Sequence, residues 1–404
     1  MAHLRQRYLE DSIRKGLGFK GLVGVFGHRQ VGKTTLLELI SKRYSTLDQA
    51  SELNKAVDNP DYYLSELARN ESDWPVGIDE CQLAPSLFPA LKEFVRRNKR
   101  PGAFLLSGSV RFSSRKAIRE SLTGRILGYE LLPFSISELE NKPLNTLVLE
   151  LFRHDFRTLN FETKFFKGLA KLPHATRYLT VGGLPGICFV RNERDRFDLM
   201  ESQLDLMLDR DLRLVCETSL SVQRLRILLQ LLAQTQNQPL NYTDLSRKAR
   251  ISTPVLRKIL VGFEAIYLLR MIPCEGDETS PVYFLEDQGE AQSISKVQFD
   301  DMSNLVRLSY AHLRIPFAYT PGLRPDIFQY RRHGGAYVPL ACRIKDRVVG
   351  FICMLEDQPS LSAQRSGQSF LKHYKNSKVV YLHPGSLYQA LSSDELVLPV
   401  EAIF

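Results

Sequence analysis

The nine residues GHRQVGKTT, Gly27 to Thr35, restrict the fold of this chain more than any other stretch. They follow a short apolar run, LVGVF at 22–26, and precede LLELISKRY, whose apolar residues recur at helical spacing. Gly27-x-x-x-x-Gly32-Lys33-Thr34 is a Walker A pattern in the strand, loop and helix setting that the pattern needs. A loop that bends this tightly into a helix N-terminus converges its backbone N–H groups on one point, where they can cradle phosphate oxygens. Gly27, Gln30, Gly32, Lys33, Thr34 and Thr35 are therefore the expected nucleotide-binding residues. Lys33 is expected to reach the β and γ phosphates of ATP, and the Thr34 hydroxyl to ligate Mg²⁺.

A phosphate loop needs an acidic partner at the end of a neighbouring strand, and WPVGIDECQ supplies it. Val76 to Ile78 read as the strand. Asp79 then fits the acid that holds Mg²⁺, and Glu80 the base that polarises an attacking water. Glu80 is the residue that separates a hydrolase from a binder gated by nucleotide. Further on, GAFLLSGS reads as a buried strand ending in small polar residues. A hydroxyl from Ser107 or Ser109 there can orient the lytic water or sense the γ phosphate, Ser109 being the choice; capping of the next helix is the other reading.

The remaining elements of the first part are read from spacing. Leu47-Asp48 is expected to close a second strand, and DQASELNKAV and NPDYYLSELAR to form short helices, with Pro60 near a helix start. In LFPALKEFVRRNKR the apolar Leu87, Leu91, Phe94 and Val95 share one helical face, and Arg96 and Arg97 suit the helix C-terminus. A strand is expected near Tyr129 to Leu132, with Ser135 and Glu138 signalling the next helix.

With 404 residues, the chain is long enough for two or three domains of roughly 150 residues each. Hydrophobic residues are 44% and charged residues 25%, which excludes a largely disordered or fibrous chain. A formal charge of +9 permits phosphate or nucleic-acid contact without establishing it. Cys81, Cys188, Cys216, Cys274, Cys342 and Cys353 are scattered without a C-x-x-C pair, so they read as buried free thiols of a reducing compartment, not as a zinc site. The N-terminus carries charges throughout and no window is long and apolar enough to cross a bilayer, so a cytoplasmic protein with no integral membrane segment is expected.

The order VFGHRQVGKTTLL, GIDECQ, FLLSGS, ESLTGR and YELLPFSISELE resembles one branch of the prokaryotic AAA+ ATPases. That branch couples a AAA+ core to a winged helix and a C-terminal nuclease-like domain. The resemblance covers about the first 290 residues well and the rest loosely. It implies an α/β fold class: a AAA+ P-loop NTPase core at 1–140, a helical lid at 141–220, a winged helix at 221–290 and a degenerate restriction-endonuclease-like α/β domain at 291–404. It also places Arg125 where such proteins present an arginine finger to a neighbouring subunit, with Arg119 as the competing candidate. Arg210 and Asp211 match the branch's Arg-Asp pair, which makes Arg210 either a lid sensor touching phosphate or a helix-end salt bridge.

Within the lid, Gly182, Gly183, Pro185 and Gly186 are expected to form a rigid turn, and Phe197, Met200, Leu204 and Leu208 to share one buried stripe. In the winged helix, Arg247, Lys248, Arg250, Arg257 and Lys258 could meet DNA phosphates, while the same fold also serves as a packing module. The tail is expected to end on the strand KVVYLHP. It departs from the branch's nuclease pattern, with Ala336, Val338, Ile352 and Met354 where acids, Glu and Lys are required; Asp326, Glu356 and Asp357 lie nearby at the wrong spacing. The expected function is Mg²⁺-dependent ATP hydrolysis in a homo-oligomer that drives or switches a protein or nucleic-acid partner. The alternative is an ATP-dependent DNA-binding regulator that uses the winged helix.

Overall fold

The computed structural model describes residues 4–111, 124–158, 172–277 and 280–404. Two compact units emerge. The first takes Met1–Pro133, Leu184–Ser219 and Lys258–Leu268, and the second takes Phe134–Gly183, Leu220–Arg257 and Leu269–Phe404. These units cut across a linear division at 140, 220 and 290, and one boundary falls inside the helix Thr253–Ala265.

The first unit is built on five parallel strands: β1 (Leu22–Gly27), β2 (Arg43–Thr46), β3 (Val76–Asp79), β4 (Phe104–Gly108) and β5 (Ile126–Leu131). Their order is β2-β3-β4-β1-β5, with every neighbouring pair parallel. β1, β3 and β4 are buried along their whole length, which is why they read as unbroken apolar runs and not as alternating ones. Strand β2 stops at Thr46, before the expected Leu47-Asp48. Its last partner is Asp79, and beyond that residue the β3 backbone turns left-handed at Glu80. Strand β5 starts at Ile126, earlier than expected, because it pairs with β1 from Leu22 onward.

Around the sheet run α1 (Leu9–Leu17), α2 (Lys33–Ile40), α3 (Ala50–Asp58), α4 (Pro60–Leu67) and α5 (Leu87–Arg97). Pro60 opens α4 at its first turn, where a missing N–H costs nothing, and the Asn59 side chain caps it. Leu87 and Leu91 of α5 are buried, and Phe94 meets Phe104 edge-on with ring centres 5.0 Å apart. The helix Glu193–Leu206 runs on through a π-helical turn, Met207–Asp211, into Leu212–Val215. Met200, Leu204 and Leu208 are buried there, but Phe197 is 48% exposed. The charged first turns of that helix extend past the packed region, so the stripe begins one turn later than its sequence period suggests.

The second unit holds a seven-stranded sheet made of β7 (Cys274–Gly276), β9 (Asp326–Arg331), β10 (Tyr337–Ile344), β11 (Arg347–Cys353), β12 (Ser377–His383), β13 (Gln389–Ala390) and β14 (Glu395–Pro399). Their order is β13-β14-β12-β11-β10-β9-β7. KVVYLHP is thus β12 and not the final strand: after the turn at Ser392 to Asp394, β14 pairs parallel with it and buries Leu396 to Leu398. Beside this sheet, β6 (Leu269–Ile272) and β8 (Val282–Leu285) form an antiparallel ribbon, and the helices Val222–Gln234 and Tyr242–Ala249 belong to the same unit. Of the expected rigid turn, Gly182 is left-handed at φ +77°, and Gly183 donates its N–H to Asp287 at 2.7 Å. Pro185 and Gly186 do not extend that turn; Pro185 starts a new short helix, Pro185–Cys188.

Ser135 and Glu138 form the expected capping box, each accepting from the other's backbone N–H at 3.1 Å. Next to that cap, the His312 ring is 1% exposed: Nδ1 donates to the Leu308 carbonyl at 2.9 Å and Nε2 accepts from the Ile136 N–H at 3.2 Å. This arrangement needs the neutral imidazole. Burial above all, and also the Arg314 charge, push its pKa from 6.5 down to about 4. The unfolded chain therefore takes up a proton near pH 6.5 that the folded chain refuses until about pH 4, so stability is full above that window and is lost as pH falls through it. We expect unfolding titrations to show on the order of 3 kcal/mol less stability at pH 4 than at pH 7 from this group. His312→Gln should flatten that slope, and an unchanged slope in the variant would sink the assignment.

All six cysteines are buried free thiols. Among the described residues, no helix is long and apolar enough to cross a membrane.

Candidate nucleotide-binding site

The site sits at the carboxyl ends of β1, β3 and β4 in the first unit. Gly27 closes β1 where a Cβ atom would come within 2.3 Å of the Leu131 carbonyl of β5, so only glycine fits. The loop then turns through two left-handed residues, Gln30 at φ +58° and Gly32 at φ +97°, before α2 begins at Lys33. Gln30 is exposed, as are Thr34 and Thr35 in the first turn of α2. Lys33 is buried, and its Nζ donates to the carbonyls of Gly27 at 3.1 Å and His28 at 2.9 Å. Burial lowers the pKa of this ammonium, against the opposing pull of the Glu80 and Asp79 carboxylates.

Asp79 is held from several elements. The Thr34 hydroxyl donates to its Oδ2 at 2.6 Å and the Tyr44 hydroxyl to the same oxygen at 3.0 Å. The Ser107 hydroxyl donates to Oδ1, which also accepts from the Glu80 N–H at 3.1 Å. Glu80 itself is left-handed at φ +55°, a backbone state that non-glycine residues rarely adopt. Its carboxylate accepts at Oε2 from Gln82 Nε2 and from the Ser109 hydroxyl at 3.3 Å, and Gln82 Nε2 also reaches Ser109 Oγ at 3.1 Å. Ser107 of β4 and Ser109 just beyond its end thus divide between the two acids, Ser107 on Asp79 and Ser109 on Glu80. The strand order makes this possible, because β4 lies between the loop strand and the acid strand.

Arg210 pairs with Asp211 at 3.1 Å and lies 3.5 Å from Asp48, while Arg29 of the phosphate loop lies 3.3 Å from the other oxygen of Asp211. Arg125 is not brought to this cluster. It is exposed in the turn before β5, and β5 enters its pairing opposite Leu22, the first residue of β1, whereas the loop follows the last. At roughly 3.3 Å of rise per residue, that separates Arg125 from its own phosphate loop by about 17 Å along the strands. Arg119 lies outside the described residues, as do Glu120 to Thr123 of the ESLTGR motif.

Four of the five cations expected to meet DNA have partners within their own units. Arg247 and Lys248 each pair with Asp244 at 2.7 Å, the Arg257 guanidinium lies 3.9 Å from the Tyr242 ring centre, and Lys258 donates to the Glu217 carbonyl at 2.7 Å. In the tail, Val338, Ile352 and Met354 are buried, while Asp326, Glu356 and Asp357 are exposed.

Three contacts at the site were not visible in sequence order: Tyr44 on Asp79, Gln82 on Glu80, and Asp211 with Arg29. Only Gln82 left a signal, its position two residues after Glu80 in DECQ.

The family matches divide the chain differently from its two compact units. Residues 173–302 match a family model described as a Domain of unknown function (DUF8612). The chain is 23% identical over 416 residues to the Uncharacterized protein Mb2031c of Mycobacterium bovis, with 99% of this chain and 85% of the relative covered, and equally to the Uncharacterized protein Rv2008c of Mycobacterium tuberculosis. The crystal structure of protein VC1899 from Vibrio cholerae aligns over 95% of each chain at 8% identity with a TM-score of 0.19, too low to bear on the fold. Residues 20–140 match the family model described as an AAA domain, which supports an AAA-like P-loop core there and points to nucleotide binding and hydrolysis.

Proposed function

We propose that the chain binds ATP with Mg²⁺ and hydrolyses it, in a homo-oligomer whose subunits complete one another's sites. The observation that carries this reading is the convergence of Lys33, Thr34, Asp79 and Glu80 at one end of a parallel sheet. The Thr34 and Asp79 oxygens, 2.6 Å apart, are the hard donors that suit Mg²⁺ held by few protein ligands plus phosphate. When bound, the ion supplies charge neutralisation at the β and γ phosphates. Lys33 would exchange the loop carbonyls it now satisfies for phosphate oxygens. Tyr44 and Ser107 fix the direction of the Asp79 carboxylate. Glu80, restrained at Oε2 by Gln82 and Ser109, presents Oε1 to a water and takes its proton.

The position of Arg125 supports action in trans, because it projects from the start of an edge strand, away from its own loop. Purified protein should release phosphate from ATP in Mg²⁺. Arg125→Ala and Lys33→Ala proteins should each be nearly inactive, and mixing them should recover a measurable part of the wild-type rate through interfaces that combine an intact loop with an intact arginine. No recovery despite subunit exchange confirmed by mass measurement would leave Arg125 a structural residue.

We further propose that the second unit docks a protein client and does not cut nucleic acid, since buried apolar side chains occupy Val338, Ile352 and Met354. The reading as an ATP-gated DNA binder has less support, because four of the five cations it needs, Arg247, Lys248, Arg257 and Lys258, already contact Asp244, the Tyr242 ring and the Glu217 carbonyl.

A further inference from the structure

Arg7 lies just ahead of α1 and is 6% exposed. Its guanidinium forks between two backbone carbonyls: Nη1 donates to Val31 of the phosphate loop at 2.8 Å, and Nη2 donates to Leu132, the residue after β5. β5 itself pairs as far as Leu131, opposite Gly27, so the sheet fixes one end of the loop and Arg7 fixes the other. The Val31 carbonyl has no anchor in the main chain: among the described residues, no backbone N–H donates to it. The Val31–Gly32 peptide is trans, so its C=O and N–H point in opposite directions. The carbonyl that Arg7 holds therefore decides where the Gly32 N–H is aimed. The sterics of the loop do not decide it, because turning that peptide over changes the φ of Gly32, now +97°, and glycine accepts either sign. Among the described residues, the Gly32 N–H donates to no protein group. Amides left over in a loop that feeds a helix N-terminus are the donors that phosphate oxygens take up.

We propose that Arg7 is a positioning residue of the phosphate loop: by holding the Val31 carbonyl toward the end of β5, it keeps the Gly32 N–H aimed at the phosphates. Without it the peptide can turn over, and a carbonyl oxygen then faces the phosphates where a donor stood. The planar fork suits two carbonyls on separate elements, whereas a lysine offers both of them a single nitrogen. The inference rests on the ATP reading above, and it deepens that reading. The phosphates that such a loop cradles are present in ADP and ATP alike, so both should depend on Arg7, and so should pyrophosphate, which has neither base nor ribose.

The test is equilibrium titration of fluorescent ADP with Mg²⁺, and its displacement by pyrophosphate, for wild type, Arg7→Ala, Arg7→Lys and Tyr129→Phe. Tyr129→Phe is the control: it removes the bond from the Tyr129 hydroxyl to the Ser12 carbonyl, 2.8 Å, which ties α1 to β5 away from the loop. Arg7→Ala should weaken ADP and pyrophosphate alike, each about 10- to 100-fold, the size of one lost hydrogen bond to a charged group. Arg7→Lys should lose less than Arg7→Ala but still several-fold, and Tyr129→Phe should leave both affinities within about twofold of wild type. The NMR resonance of the Gly32 amide in the nucleotide-free protein should move in Arg7→Ala and stay in place in Tyr129→Phe. No loss in Arg7→Ala, an equal loss in Tyr129→Phe, or a loss for ADP with none for pyrophosphate would overturn the proposal, while ADP binding by the wild type upholds the nucleotide site itself. Failure of the wild type to bind either ligand would instead overturn the ATP reading and this inference with it. Should melting curves show Arg7→Ala to be unfolded, Arg7→Lys decides alone, because it keeps the charge; unchanged affinities in that variant would overturn the proposal.

Discussion

Lys33→Ala protein should bind ATP at least about 100-fold more weakly than wild type and release no phosphate above background. Charge-assisted hydrogen bonds are worth roughly 1.5–3 kcal/mol each, and tenfold in affinity is about 1.4 kcal/mol, so loss of even two such bonds to phosphate reaches this size. The loss is not offset by relief of strain. In the free protein the ammonium already donates to the Gly27 and His28 carbonyls, and the variant removes that bond from both, leaving the His28 carbonyl with the Val31 N–H. Titration of fluorescent ATP measures the effect, with circular dichroism of the nucleotide-free variant as the control for folding. An isotherm that overlays the wild type would remove Lys33 from the site.

Glu80→Gln should behave in the opposite sense for binding. We expect affinity for ATP within about threefold of wild type and a hydrolysis rate lower by about 10²–10⁴, the range in which a positioned general base contributes. The amide oxygen of glutamine can still accept from Gln82 and Ser109, so the loop geometry should survive. What disappears is the capacity to take a proton from water. Single-turnover phosphate release beside equilibrium binding separates the two quantities, and a variant that hydrolyses at the wild-type rate would mean that another group serves as base.

Residues whose roles follow from their neighbours in sequence were legible before any coordinates. Gly27, Gly32, Lys33 and Thr34 act within one turn of loop and helix, and Asp79 and Glu80 directly follow the strand that aims them. The Ser135 and Glu138 cap is local in the same way. Tyr44 and Ser107, by contrast, reach Asp79 only because β2 and β4 flank β3, and nothing in residue spacing specifies the order of parallel strands joined by helices. Asp211 finds Arg29 across 182 positions of chain. Phe197 kept the right helical period but lay beyond the packed stretch, since periodicity locates a face and not how far along it the packing extends. Strand β14 escaped notice for a related reason: it is five residues long and follows a polar turn, so its apolar content resembled a chain end.

The chain's repeated passage between its two units has a consequence for synthesis. A ribosome that has released the phosphate loop, both acids and all five strands of the first sheet has still not supplied Leu184–Ser219 or Lys258–Leu268, which that unit also contains. The nascent nucleotide domain must therefore wait, with part of its interior uncovered, until 268 of the 404 residues have emerged. In the interval the core around the first sheet lacks Tyr267, and apolar surface left open in this way is what chaperones bind. An N-terminal fragment cut at residue 140 would make that interval permanent, and would lack Asp211 and Arg210 as well.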